Sequence, residues 1–195
     1  MIIILIVLSF LLLNFIEGEK IMKDEIIFGA GEVYVTEFTG NAVPAHTEIE
    51  KAENNVGHCQ GGFTVEYKPE TYDVKNQYGK IVRRFLKGEE ISAKTGVLSW
   101  DLKRLAQLSA AKFTEDAVKK IKKLTFGGSN KSYKTVLLRF VHEKEDGKKL
   151  RFTMIGQAGN GFSIEFADKE LVIDAEISAI EKVKDFLAEI EEEVA

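Results

Sequence analysis

The sequence predicts a mainly β protein, a β-sandwich or small barrel with one or two short packed helices, a C-terminal helix and a long inter-strand arm. Three observations lead to this prediction. Polar and apolar residues alternate in several segments, an Asp-Gly pair joins two of them, and few segments have helical spacing. The chain has 195 residues, and at roughly 150 residues per domain this length suits one domain.

Two strands are predicted in the first half of the chain. Residues 31–38 alternate, with Val33 and Val35 on one face. Residues 57–66 begin Gly-rich and continue as a second strand. We expect this strand to end near Pro69, because proline cannot donate to a central ladder.

Two short helices are predicted in the middle of the chain. A strand over 90–100 continues into 101–108, where leucines recur every three residues and Ser99 or Asp101 can cap a helix. Residues 114–121 start with a threonine cap, carry acids in the first turn and end in lysines. This order suits the helix macrodipole and predicts a second helix.

The second half predicts three long strands followed by a helix. The strands cover 133–142, 148–157 and a segment that starts at Phe162 or Leu171 and ends at Ile180. Residues 170–180 place their apolar side chains on one face and acids on the other. Residues 181–195 change to helical spacing, so we predict a β domain over 22–180 and a helical tail over 181–195.

The first 21 residues are an apolar leader that we set apart from the domain. Residues 1–16 are shorter than the roughly 20 apolar residues of a bilayer span and lack the charge that precedes a signal sequence. Glu17-Gly18-Glu19 is encoded by GAR-GGN-GAR, a purine-rich string that is typical of a ribosome-binding site. We therefore favour a start at Met22, then an N-terminal anchor, then a signal peptide.

Composition and motifs argue against several classes of function. The net charge of −4 is wrong for binding by phosphate neutralisation, and one cysteine and three histidines leave little for a metal site. Glycine-rich segments near residues 29–34 and 127–132 lack the residues and context of nucleotide-binding motifs. His58 and Cys59 are adjacent, so on a strand they point to opposite faces. We therefore predict no enzyme, no metal and no cofactor.

Residues 71–89 mix strand-forming residues with charge and form a long excursion between two strands, which we interpret as a hairpin arm. The chain also has several strands without obvious edge protection. Because exposed strand edges are normally protected or paired with another chain, these features favour assembly over chemistry.

The order of segments resembles that of the tail tube proteins, or major tail proteins, of tailed bacteriophages. The resemblance begins at Gly31-Glu32-Val33-Tyr34-Val35 and continues in residues 56–70, a glycine-containing strand that ends in a Tyr-x-Pro-Glu segment. Thr71-Tyr72-Asp73-Val74 follows where the family makes its long excursion. A strand running into a Leu-rich helix at 96–108 and a last strand at 166–174 complete a match over about residues 29–180. The apolar leader and the tail after Ile180 depart from it.

This resemblance implies a homo-hexameric ring whose subunits join their sheets, and rings that stack into the tail tube of a phage or prophage virion. It also implies tape measure, tail terminator and baseplate proteins as partners, and DNA that passes through the lumen without sequence-specific binding. The subunit would reside in the bacterial host cytoplasm before assembly. The arm is our candidate for ring-to-ring contact, and its candidate residues are Tyr72, Val74, Tyr78, Arg83, Arg84 and Phe85.

Two other functions remain open from the sequence. One is a membrane-tethered β-sandwich binding module that uses residues 1–16 as its anchor. The other is a small hydrolase that uses Cys59 or a pair of neighbouring carboxylates.

Overall fold

The computed structural model describes residues 30–57, 59–97, 100–127, 133–159, 162–164, 168 and 173–194. The predicted leader, His58 and most of the loop at 127–132 lie outside these residues, as does the side chain of Cys59.

The described chain contains ten strands, two short α-helices and one 3-10 turn. The elements in chain order are β1 (Glu32–Glu37), α1 (His46–Ile49), the 3-10 turn (Ala52–Asn54), β2 (Cys59–Lys75), β3 (Ile81–Val97), α2 (Leu102–Gln107), β4 (Lys112–Asp116), β5 (Ile121–Thr125), β6 (Val136–Glu143), β7 (Lys149–Gln157), β8 (Phe162–Ile164), β9 (Ile173–Ala179) and β10 (Ala188–Glu192). The mainly β prediction is confirmed.

Eight of these strands form one antiparallel sheet in the order β1-β6-β7-β9-β3-β2, with β10 paired to β7 and β8 paired to β9. Strands β7 and β9 share only two residue pairs, the first of which joins Gly156 to Ala179. A Cβ on Gly156 would lie 2.4 Å from the Ser178 carbonyl oxygen, so only glycine permits this approach. The two halves of the sheet face each other, since Phe63 of β2 stacks on Phe140 of β6 with ring centroids 4.6 Å apart.

The main core lies between these two halves and includes α2. Its buried members come from six elements and include Val33, Ala93, Leu105, Leu138, Met154 and Ile177. Val35 and Val33 of β1 both belong to it, as the alternation predicts. The apolar face of β9 also belongs to the main core, and the opposite face of this strand carries exposed Asp174 and half-buried Glu176. The face prediction is confirmed over residues 173–179, whereas residues 170–172 lie outside the described residues.

A second apolar cluster lies on the outer face of β1, β6 and β7. Tyr34, Phe38, Leu137, Val141 and Ile155 are buried there beneath Ile49 of α1. The segments around Val43 and around Val183 and Phe186 pack over the same cluster. Consequently β1 is buried on both faces.

The helix predicted over 101–108 is confirmed. Helix α2 covers Leu102–Gln107, and the Asp101 side chain caps it by accepting a hydrogen bond from the Lys103 N–H at 2.9 Å. The arm is likewise a hairpin, formed by β2 and β3.

The second predicted helix, over 114–121, is wrong, because these residues form the hairpin β4–β5. The Asp116 carboxylate accepts hydrogen bonds from the N–H groups of Val118 and Lys119 at 3.1 and 3.0 Å, which fixes a turn instead of a helix start. Lys120 completes the turn with φ at 52°. Phe113 and Leu124 lie opposite each other across the two strands, and Leu124 packs against the core.

The predicted C-terminal helix is also wrong. Val183 and Phe186 bridge across a turn, with Asp185 at φ 60°, and residues 188–192 pair with β7 as strand β10. Val183 and Phe186, two of the apolar residues that suggested helical spacing, cover the outer cluster instead, so tertiary packing overrides the local pattern.

The expectation that the second strand ends near Pro69 is wrong as well. Strand β2 continues to Lys75 and pairs Pro69 with Glu89. Proline is tolerated here because β2 is the last strand of the sheet and pairs only with β3 in the described part of the chain.

Candidate assembly surface

The most exposed regular structure in the described chain is the outer part of the β2–β3 hairpin. The two strands pair from Cys59 with Val97 out to Lys75 with Ile81. Strand β3 pairs with β9 only from Ser92 to Val97, so beyond Ser92 the hairpin is a two-stranded ribbon. We call residues 71–89 of this ribbon the arm. An isolated two-stranded ribbon is marginally stable in water, so the arm is suited to gaining stability from a partner.

A well-formed turn holds the tip of the arm. The Asn76 side-chain oxygen accepts hydrogen bonds from the N–H groups of Tyr78 and Lys80, each at 3.0 Å. Gly79 has φ at 75°, a backbone conformation that favours glycine. This turn presents Tyr78, whose side chain is 78% exposed.

Strand register places four of the six predicted arm residues on one face. Tyr72 lies opposite Phe85, and Val74 lies opposite Arg83. Directly opposed residues share a face of the ribbon, and so do residues two apart along a strand. We call these four residues the arm patch. The Arg83 guanidinium lies 4.4 Å from the centroid of the Phe85 ring, which is the geometry of a cation–π contact.

The opposite face of the arm is polar at the corresponding positions. Arg84 donates from Nε and Nη2 to the two carboxylate oxygens of Asp73, at 2.6 and 3.0 Å. The hydrogen bond from Arg84 holds the pKa of Asp73 below its usual value. Leu86 lies on this face opposite Thr71. Arg84 is therefore separated from the arm patch, and Tyr78 lies at the tip beyond it.

The histidines and carboxylates that could serve in catalysis do not form a catalytic group among the described residues. His46 contacts Arg139 and Glu191, whereas His142 bonds the backbone oxygen of Ala30. Glu176 is ion-paired with Lys94 at 3.5 Å. No cluster of three metal-ligating side chains occurs within the described ranges.

The cavities among the described residues also contain no catalytic group. A cavity of about 20 Å³ lies between α2 and the sheet, and its lining is mainly apolar. A cleft of about 400 Å³ is lined by residues that include Ser109, Phe126, Tyr133 and Phe162. The described lining of the cleft holds no histidine or carboxylate. The one carboxylate that lines the small cavity, that of Asp101, accepts the hydrogen bond that caps α2.

Sequence reasoning missed an ion cluster on the outer face. The Glu50 carboxylate accepts from Arg151 Nε at 2.7 Å and from Arg139 Nη1 at 3.3 Å, and Arg151 also donates to Glu193 at 2.7 Å. Burial raises the pKa of Glu50, but the Arg151 hydrogen bond and the nearby cations outweigh burial and bring it below the usual value. The available signal was an arginine within each of the apolar strands β6 and β7, since a buried arginine needs a carboxylate partner.

Comparison with known proteins assigns no family. No protein-family model matches the chain, and the search of curated proteins gives no match. Among the described residues, no helix has the length and apolar character needed to span a membrane.

Proposed function

We propose that this chain is the structural subunit of a phage or prophage tail tube, which polymerises as stacked hexameric rings into a conduit for viral DNA. The observation that carries the proposal is the arm, a ribbon that extends beyond the sheet and presents an apolar face. The arm is our candidate for the ring-to-ring contact of such a tube.

The exposure of apolar side chains on the arm supports a role in assembly. Nine large apolar or aromatic side chains of the hairpin are at least 36% exposed: Val65, Tyr67, Tyr72, Val74, Tyr78, Ile81, Val82, Phe85 and Leu86. These side chains lie on both faces of the ribbon, and Tyr72, Val74 and Phe85 lie together on the face of the arm patch. Isolated exposed apolar residues are ordinary, but neighbouring ones on one face mark an interaction surface. Burying one such side chain in a partner contributes about 1.5–3 kcal/mol.

Free strand edges provide further support. Strands β2, β8 and β10 each pair on one side only within the described chain. A ring removes such edges when each subunit pairs an edge with its neighbour, and head-to-tail contacts of this kind close into rings by rotation. The net charge of −4 suits a conduit through which DNA slides, since it does not favour tight phosphate binding.

The test is assembly of the purified chain as concentration rises. We expect sedimentation velocity to show ring-sized species, and negative-stain electron microscopy to show six-fold rings and tubes. A variant lacking residues 75–84 should remain a folded monomer by circular dichroism and form no tubes. Tubes formed by this deletion would remove the arm from the mechanism, and a wild-type chain that stays monomeric at its highest soluble concentration would overturn the proposal.

Cell fractionation separates this proposal from the membrane-tethered binding module. The tail tube predicts rings or fibres in the soluble fraction. Membrane-bound monomers would support the tethered module instead.

A further inference from the structure

We infer that the edge of strand β7 that binds β10 is a groove for an acidic extended strand, and that β10 of a second copy replaces the chain's own β10 when copies associate. The inference deepens the proposed function and rests on it for the association of copies, whereas the groove is a property of the single chain. The contacts that hold β10 and the turn that precedes it carry the inference.

Main-chain pairing fixes where an acidic strand binds. Strand β10 pairs with β7 over five residues, from Ala188 to Glu192. Beyond the last pair, the Glu193 N–H donates to the Lys149 carbonyl oxygen at 3.0 Å. Strand β7 pairs with β6 along its other edge, so an added strand can bind only on the β10 side. A ladder of this kind accepts an extended peptide, and the side chains beside it select which one.

Basic side chains line this edge and select carboxylates. The Glu193 carboxylate accepts a hydrogen bond from Arg151 Nη1 at 2.7 Å and another from the Lys149 N–H at 3.0 Å. Lys144 bonds the Glu192 carboxylate, and the side chains of Arg151 and Lys144 are both 6% exposed. The hydrogen bond from Arg151 lowers the pKa of Glu193, so this carboxylate is charged at neutral pH. Because buried cations need anionic partners, the groove favours an acidic strand over a neutral or basic one.

Apolar burial contributes little to the attachment of β10. Ile190 is 73% exposed and Val194, just after the strand, is 80% exposed. Among the described residues of β10, Ala188 alone packs against the main core. The side chains of Glu192 and Glu193 are 48% and 41% exposed, so salt screens their ion pairs. Because segments with few buried apolar contacts open at low free energy, β10 can leave the groove while the rest of the sheet stays folded.

A tight turn connects β10 to the strand before it. Val183 and Phe186 bridge across this turn, and Asp185 has φ at 60°, in the left-handed region that most residues with a Cβ avoid. Val183 and Phe186 also pack over the outer cluster, which keeps the turn closed in an isolated chain. Strained short turns favour strand exchange, because a second copy offers an identical groove and only the connection between the strands changes. A strand passed from each subunit to the next joins the subunits head to tail.

A simpler interpretation is that β10 only protects the edge of β7 from other chains. That interpretation predicts a strand that stays with its own chain at every concentration. Exchange predicts the same fold for each subunit, with a β10 that comes from a neighbour. The two interpretations therefore differ in which chain supplies the strand.

A labelled peptide with the sequence of residues 186–194 tests the groove. In the full chain, Glu191→Lys/Glu193→Lys places two lysines beside Arg151 and detaches the chain's own strand. We expect the peptide to bind this variant about tenfold or more tightly than it binds wild type in fluorescence anisotropy, and about 0.5 M NaCl to weaken the binding several-fold. The same peptide with both lysine substitutions should not bind. Equal affinity of the two peptides, or no binding of the native peptide, would overturn the groove.

Glu48→Lys/Glu53→Lys is the matched control, since it makes the same change of charge at exposed side chains outside β10. We expect this control to bind the peptide as weakly as wild type does. Circular dichroism monitors the fold of both variants. If Glu191→Lys/Glu193→Lys loses its fold, Glu191→Gln/Glu193→Gln removes the attraction without adding repulsion, and it should still bind the peptide more tightly than wild type.

Mixed chains test the exchange. One full chain carries Leu150→Cys and the other carries Glu192→Cys, both in a Cys59→Ser background, because the two positions are opposed in the β7–β10 ladder. With oxidised glutathione, β10 of one chain on β7 of the other should give a disulfide between the two chains, identified by mass spectrometry. We expect this mixed disulfide at concentrations at which the chains associate. Glu48→Cys in place of Glu192→Cys is the control and should give none.

The outcomes separate this contact from the tube. Tubes that form without the mixed disulfide would overturn the exchange and leave the tube proposal intact. A mixed disulfide in assemblies that never become six-fold rings would support the exchange and overturn the tube. A chain that binds the native peptide but never associates with itself would support the groove and overturn both the exchange and the tube.

Discussion

Arg83 lies over the ring of Phe85 on the exposed face of the arm, with its guanidinium carbon 4.4 Å from the ring centroid. The two residues are two apart on β3, so the strand places both on the same side of the ribbon. Tyr72 lies opposite Phe85 on β2, and its side chain is 62% exposed. An aromatic pair with an arginine is the composition that interface hot spots favour.

Phe85→Ser tests whether this face mediates assembly. The side chain is 43% exposed in the single chain, so we expect the variant to remain folded. Loss of the buried ring at an interface should weaken assembly by about 1.5–3 kcal/mol, or roughly 10- to 150-fold in concentration. Sedimentation velocity and negative-stain imaging over a concentration series measure this effect.

Leu86→Ser is the matched control. Leu86 is the next residue of β3, is 58% exposed and lies on the opposite face. We expect it to assemble at wild-type concentrations. Equal weakening by both substitutions would show that assembly does not discriminate between the two faces of the arm.

Arg104 joins three segments through backbone carbonyl groups. Its guanidinium donates to the carbonyl oxygens of Val35 at 2.9 Å and Asn55 at 3.0 Å, and it also bonds those of Glu53 and Asn54. Helix α2 is thereby tied to β1, to the 3-10 turn and to Asn55, the residue after that turn. The planar guanidinium supplies several donors in fixed directions, which lysine does not.

We expect Arg104→Ala to lower the free energy of unfolding by about 2–3 kcal/mol, because it leaves part-buried carbonyl groups without donors. Urea unfolding followed by circular dichroism measures the loss. Lys103→Ala, at an exposed neighbour on α2, should cost less than about 0.5 kcal/mol. Arg104→Lys should behave like Arg104→Ala, and full stability of Arg104→Lys would contradict the role of the planar fork.

The strands that face water on one side could be predicted from the sequence. The local sequence was misleading in the two segments that were wrongly predicted as helices, residues 114–121 and 181–195. Residues 173–179 alternate strictly because only one face is in the core. In contrast, residues 114–121 have a capping threonine and terminal lysines, which suit a helix equally well. The deciding contacts are between Phe113 and Leu124 across β4 and β5, and propensity does not contain them.

The candidate site was predicted as a segment but not as a surface. Alternation and charge indicate an arm over 71–89, yet its faces depend on the bulges that shift the register at Glu70/Thr71 and Val74/Lys75. Those shifts set the cross-strand partners and place Arg84 opposite Asp73, whereas alternation along β3 puts Arg84 on the other face from Arg83 and Phe85. A bulge of this kind has no clear signal in a single sequence.

Glu50 tests the ion cluster on the outer face. Its carboxylate is 12% exposed and neutralises Arg151 and Arg139, whose side chains are 6% and 1% exposed. Removing the charge with Glu50→Gln leaves buried guanidinium groups less compensated, so we expect a loss of about 2–3 kcal/mol in the free energy of unfolding. Glu48→Gln is the control, because Glu48 is exposed on α1, the helix that ends just before Glu50, and belongs to no ion pair in the described chain.

The same carboxylate gives a pH dependence with a definite sign. Although burial raises it, the pKa of Glu50 lies below 4.5 because of the Arg151 hydrogen bond and the charges of Arg151, Lys149 and Arg139. A depressed pKa in the folded state stabilises the protein above the unfolded pKa, and this contribution is lost as pH falls through the folded value. Urea unfolding between neutral pH and the acid range should therefore show a steeper acid loss in wild type than in Glu50→Gln. Parallel profiles for the two proteins would show that Glu50 is not linked to folding in this way.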